Sequence, residues 1–96
     1  MIDRPKFITV TDKALDYFGE QKQIEKLKEE LQELIDALTK YQECGPIARG
    51  HVAEEAGDVR ILLQQIEKSM GIAQDVEAWE DVKIDRLKGI IDAETK

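Results

Sequence analysis

Hydrophobic positions along this chain recur at spacings of three and four rather than two. Between Glu20 and Glu43, Ile24, Leu27, Leu31, Leu34, Ile35, Leu38 and Tyr41 follow that rhythm. Projected at about 100° per residue, they fall within an arc of about 120°, as in an amphipathic helix with one buried face. Gly45-Pro46 ends that helix, since proline cannot continue the backbone hydrogen-bond ladder. A second helix is predicted over Ala48–Ser69, with Val52, Ala56, Val59, Leu62, Leu63, Ile66 and Met70 on one face. Ile61 lies away from that face and is expected to meet something on a second side. A third long helix, Asp75–Ala93, gathers Val76, Trp79, Val82, Leu87, Ile90 and Ile91. A short helix over Asp12–Phe18, N-capped by Thr11, precedes these, and residues 1–11 are predicted to be extended because Phe7 to Val10 alternate like a strand. The expected fold is all-α: one domain over residues 1–96, a small bundle of about four helices completed by oligomerisation.

Composition narrows the function classes. The formal net charge is −7, with 21 acidic residues against 14 basic ones. Proteins that hold nucleic acid by its phosphates present a basic surface, so no nucleic-acid polymer is expected as a partner. An acidic protein that handles smaller phosphates needs a cation between the two negative partners. No apolar run approaches the ~20 residues a membrane span requires. Met1 to Val10 lacks a signal-peptide pattern, and a cytoplasmic protein without membrane contact is expected. Cys44 is the only cysteine, so no disulfide forms within the chain.

Two short stretches carry candidate chemistry. Glu30-Leu31-Gln32-Glu33 and Glu55-Ala56-Gly57-Asp58 each set two carboxylates three residues apart, neighbours on one helical face. Among 21 acidic residues such spacing alone marks a solvated face. Position changes the reading: Glu55 falls inside the apolar arc of its helix, Asp58 at its edge, and Glu30 at the border of the arc before it. A core-facing glutamate is rarely kept unless it is paired or metal-bound. Four carboxylates aimed from two antiparallel helices would repel, and a hard cation, Mg²⁺ or Mn²⁺, relieves that repulsion with oxygen ligands alone.

Other polar residues are placed by the same projection. Lys83 and Arg86 project from within the apolar arc of the last helix, either snorkelling over the bundle surface or facing the carboxylates as phosphate-gripping cations. Lys26 and Lys40 flank Glu30 and Glu33 and could act likewise. Gln23, polar within an apolar arc, is either a satisfied core amide or a substrate-reading group. His51 and Cys44 lack a third orienting group, and His51 reads as a surface or interface residue.

In combination these stretches resemble the MazG-like, all-α nucleoside triphosphate pyrophosphatases. The resemblance is carried by Phe18-Gly19-Glu20 with Gln23, by Glu29-Glu30-Leu31-Gln32-Glu33-Leu34 and by Ala53-Glu54-Glu55-Ala56-Gly57-Asp58-Val59, and it spans roughly residues 18 to 90. It implies an enzyme in which Glu30, Glu33, Glu55 and Asp58 hold Mg²⁺ and a nucleoside triphosphate is split into monophosphate and pyrophosphate. It implies a homodimer or homotetramer with the site between helices, and phosphate contacts from the Lys83-x-x-Arg86 stretch. The asparagine often found in that downstream region of the family is absent here. Metal-assisted hydrolysis would leave Glu33 or Glu30 to orient or deprotonate the attacking water. The competing expectations are a helical protein-interaction module without activity and an inactive relative that keeps the fold.

Overall fold

Helix begins earlier than the hydrophobic pattern predicts. The computed structural model describes residues 1–95, and its first helix, α1, runs Arg4–Phe18. Asp3, not Thr11, is the N-cap: its side chain accepts the backbone N–H of Lys6 at 3.1 Å. Pro5 sits in the first turn, where its missing N–H costs nothing. The expected extended segment over residues 1–11 is therefore corrected to a cap and a helix. The Phe7–Val10 alternation is too short to outweigh the Asp3 cap and Pro5. Thr11 instead turns its hydroxyl back to the carbonyl of Phe7 at 2.9 Å, as threonine does inside a helix.

The other helices follow the expected order: α2 (Glu20–Cys44), α3 (Arg49–Met70) and α4 (Ala73–Glu94), with a 3₁₀ turn over Gly45–Ala48 before α3. Gly71 closes α3 in the left-handed region at φ 69°, so the N–H of Ile72 can reach back to the carbonyl of Glu67 at 2.9 Å. No described helix is long and apolar enough to cross a membrane.

The core lies between α2 and α3. Leu27, Val59, Leu62 and Ile66 are buried together, with Ile24 and Leu34 packed against them. Burying each such side chain contributes about 1.5–3 kcal/mol. Three pairs of side chains tie α3 to its neighbours. Lys68 Nζ donates to both Asp12 oxygens at 2.7 and 2.9 Å, Ser69 Oγ to Glu20 Oε2 at 2.6 Å, and Gln23 Nε2 to Gln65 Oε1 at 2.7 Å.

The last helix stands apart. α4 touches only α3 and buries none of its residues. The chain is correspondingly elongated, with a radius of gyration of 16.5 Å, against about 12–13 Å for a compact domain of this length. Leu31, Ile35, Leu38 and Tyr41 of α2 are also exposed, as is Ile61 of α3. Two apolar surfaces of one chain thus lack a partner within it.

Candidate metal centre

The register of α2 against α3 assembles the site. Seven residues on from Gln23 is Glu30, and seven back from Gln65 is Asp58, so the pairing that joins the glutamines also sets these carboxylates opposite each other. Glu55, one turn before Asp58, completes the group. One oxygen from each of Glu30, Glu55 and Asp58 lies within 4.8 Å of the others. Glu30 and Glu55 are 7% and 6% exposed, so both carboxylates sit in the core rather than on a solvated face.

Each buried glutamate is held on one side only. Lys26 Nζ lies 3.2 Å from Glu30 Oε1, and His51 Nε2 lies 3.3 Å from Glu55 Oε1. Both partners stand one helical turn before the glutamate they contact. The other oxygens, Glu30 Oε2 and Glu55 Oε2, are buried without any hydrogen-bond partner. Orphaned carboxylate oxygens are costly in a protein interior. The two glutamates that carry them form, with Asp58, a donor set suited to a hard divalent cation.

Glu33 lies exposed beside this group. Hydrogen bonding to Glu30 and the negative charges of Glu30 and Glu55 raise its carboxyl to about 7. Burial pushes Glu30 upward, but the close approach of Glu33, Lys26 and Glu55 outweighs it and holds Glu30 below the ordinary carboxylate value. The contact with Glu30 in turn raises the Lys26 ammonium. Of the acidic side chains here, Glu33 is therefore the one that holds a proton most readily.

A cleft of about 600 Å³ opens beside the carboxylates. Glu30 and Asp58 form part of its wall, together with Phe18, Lys22, Gln23 and Lys26. Lys22 Nζ stands over the Phe18 ring, 5.4 Å from its centroid. The cleft therefore offers an aromatic face and two ammonium groups next to the acidic cluster.

Comparison of the chain with protein-family models, with curated proteins and with solved structures finds no match.

The expected site residues divide into two groups. Glu30, Glu55 and Asp58 converge, and Glu33 sits alongside rather than among them. Gln23 is both a core amide paired to Gln65 and part of the cleft wall. Lys40 is exposed on α2 and does not line the cleft. Lys83 and Arg86 are exposed on α4, which meets neither α2 nor the cleft, so within one chain they do not face the carboxylates. A helical projection gives the face of each helix but not the direction in which a terminal helix leaves the bundle. His51 was read from the sequence only as a surface or interface residue, and Lys22 was not singled out. The i to i+4 step from His51 to Glu55 was the available signal for His51, and Lys22, four residues from Phe18, carries the same one.

Proposed function

We propose that this chain is a Mg²⁺-dependent nucleoside triphosphate pyrophosphohydrolase, with Mn²⁺ as an alternative metal, cleaving the α–β phosphoanhydride to a nucleoside monophosphate and pyrophosphate. One observation carries the metal reading: Glu30 and Glu55 are buried, each with an oxygen lacking any partner, and an oxygen from each converges with one from Asp58 in one small volume. The reaction itself comes from the resemblance of the Glu30-x-x-Glu33 and Glu55-x-x-Asp58 stretches to the MazG-like enzymes.

The residues divide the work. Glu30, Glu55 and Asp58 would hold the cation, with Glu33 completing the set as the nucleotide binds. When bound, Mg²⁺ neutralises charge on the phosphates and lowers the pKa of a coordinated water. Glu33, beside the three converging carboxylates, would orient or deprotonate the attacking water. Lys22 and Lys26 stand where phosphate oxygens would enter the cleft, and Phe18 offers a stacking face for the base. Gln23 borders the same space and supplies a polar group for reading the nucleotide.

The proposal extends to a homodimer or homotetramer. The apolar faces of α4 and of the second half of α2 are uncovered in one chain, and a second copy would cover them. Lys83 and Arg86 would then serve the carboxylates of a neighbouring copy rather than their own. The same uncovered α4 face is also what favours the rival reading, a helical interaction module without activity.

A panel of deoxynucleoside and nucleoside triphosphates, with and without Mg²⁺, separates the two. Metal-dependent release of pyrophosphate rather than orthophosphate is expected, with Glu55→Gln and Asp58→Asn reduced to background. Absence of pyrophosphate from every nucleotide would leave the interaction module in its place.

A further inference from the structure

We infer that His51 is a positioning residue for the metal centre, holding the outer oxygen of Glu55 so that the inner one faces Glu30 and Asp58. The inference rests on the metal reading above and concerns a residue outside the acidic motifs. His51 Nε2 lies 3.3 Å from Glu55 Oε1, while Glu55 Oε2 has neither solvent nor partner. The convergent oxygens come from Glu30, Glu55 and Asp58 without a His51 nitrogen, so the imidazole stands behind Glu55 rather than among the donors.

A carboxylate that binds metal through one oxygen remains free to rotate about its last side-chain torsion. A donor fixed on the other oxygen removes that freedom and keeps the ligating lone pairs aimed at the cation. His51 can act in this way because it precedes Glu55 by four residues on the same rigid helix. Its side chain is about half exposed, so the contact forms the boundary between solvent and the buried site. Lys26 stands in the same relation to Glu30, four residues earlier with Nζ 3.2 Å from Oε1. The two contacts have different consequences for a cation. Lys26 places a full positive charge beside the site and opposes metal binding, whereas His51 adds a charge there only when it is protonated.

The test compares the full-length chain with His51→Leu and His51→Gln in Mn²⁺ titrations, following free Mn²⁺ by its electron paramagnetic resonance signal. Loss of an orienting partner behind a metal ligand typically weakens affinity about 10–100-fold. His51→Leu should show a loss of that size, and His51→Gln, which keeps an N–H donor of similar reach, should stay within about threefold of the parent. The urea midpoint of the metal-free protein should hardly move in either variant, since the side chain is half exposed. Parent-like Mn²⁺ affinity in His51→Leu would overturn the role of His51 and leave the metal reading standing. An equal loss in the leucine and glutamine variants would also overturn it, because the donor would not matter. A parent chain that binds no Mn²⁺ would overturn both.

Discussion

Gln23 and Gln65, one on α2 and one on α3, meet through a bond of 2.7 Å with both residues almost fully buried. The pair does more than satisfy two polar groups. An antiparallel helix pair lined by leucine and isoleucine can slide by a turn at modest cost, because one aliphatic contact resembles the next. A buried amide pair cannot, because a slip leaves both groups unpaired. The bond therefore fixes the register that brings Glu30 opposite Asp58.

Removing one partner should cost more than removing both. Gln65→Leu strands the buried amide donor of Gln23, a loss of about 1–3 kcal/mol. Gln23→Leu together with Gln65→Leu leaves an apolar contact and should recover most of that loss. Urea midpoints of the two single variants and the double variant measure the coupling. If the double variant loses the sum of the single effects, the pair is not acting as a unit.

Metal should stabilise this fold strongly. Metal at 100 times its dissociation constant adds about 2.7 kcal/mol to folding stability, which in a domain of this size corresponds to a rise in Tm of about 10 °C or more. The rise should vanish in Glu55→Gln, which removes the negative charge of one of the three converging carboxylates. Thermal unfolding followed by circular dichroism, in excess chelator and in saturating Mg²⁺, checks both statements. An unchanged melting curve with saturating Mg²⁺ would count against a preformed cation site.

The parts of this molecule that were legible in the sequence are those set by helical periodicity. The long helices, the buried position of Glu55 and the placing of Gln23 in an apolar arc all follow from residue spacing, and the structure has them. The start of α1 was missed because Asp3 and Pro5 signal a cap only when read together, and the brief Phe7–Val10 alternation competed with them. The expected closeness of Lys83 and Arg86 to the acidic cluster failed for a different reason. Periodicity ranks positions around a helix axis and contains nothing about the angle at which Gly71 and Ile72 send α4 away. Likewise the expected apolar face of α2 is real, but Leu31, Ile35, Leu38 and Tyr41 on it stay exposed in one chain.

Stability of the metal-free chain should fall as pH rises through neutrality. The carboxyl of Glu33 has a folded-state value of about 7, above its ordinary 4.5. Between those values the folded chain holds a proton that the unfolded chain has released, so its contribution is complete below about 4.5 and is lost as pH passes 7. Glu30, held below its ordinary value, acts in the opposite sense, but only as pH falls below about 4.5. Urea midpoints in chelator should therefore be lower at about pH 8 than at about pH 5, and Glu33→Gln should flatten that difference. Mg²⁺ should reverse the trend, since a bound cation takes over from the proton in relieving carboxylate repulsion. A Glu33→Gln variant with the parent's pH dependence would place that proton elsewhere.

The exposed face of α4 makes the last prediction one about assembly. Trp79, Val82, Leu87, Ile90 and Ile91 are 49–60% exposed in a single chain, more apolar surface than one helix usually leaves open. Sedimentation should therefore show a dimer or tetramer, and Ile90→Glu with Ile91→Glu should shift it toward monomer. Because Lys83 and Arg86 do not reach the cleft of their own chain, a catalytic role for them requires a neighbour. Glu55→Gln and the double variant Lys83→Ala/Arg86→Ala should each be inactive alone. After unfolding and refolding as a mixture, some assemblies pair an intact carboxylate set with intact cations from the other chain. Up to about a quarter of the parental activity should then return if dimers form at random. No recovery, with mixed assemblies confirmed by mass, would show that the cations act within one chain or not at all.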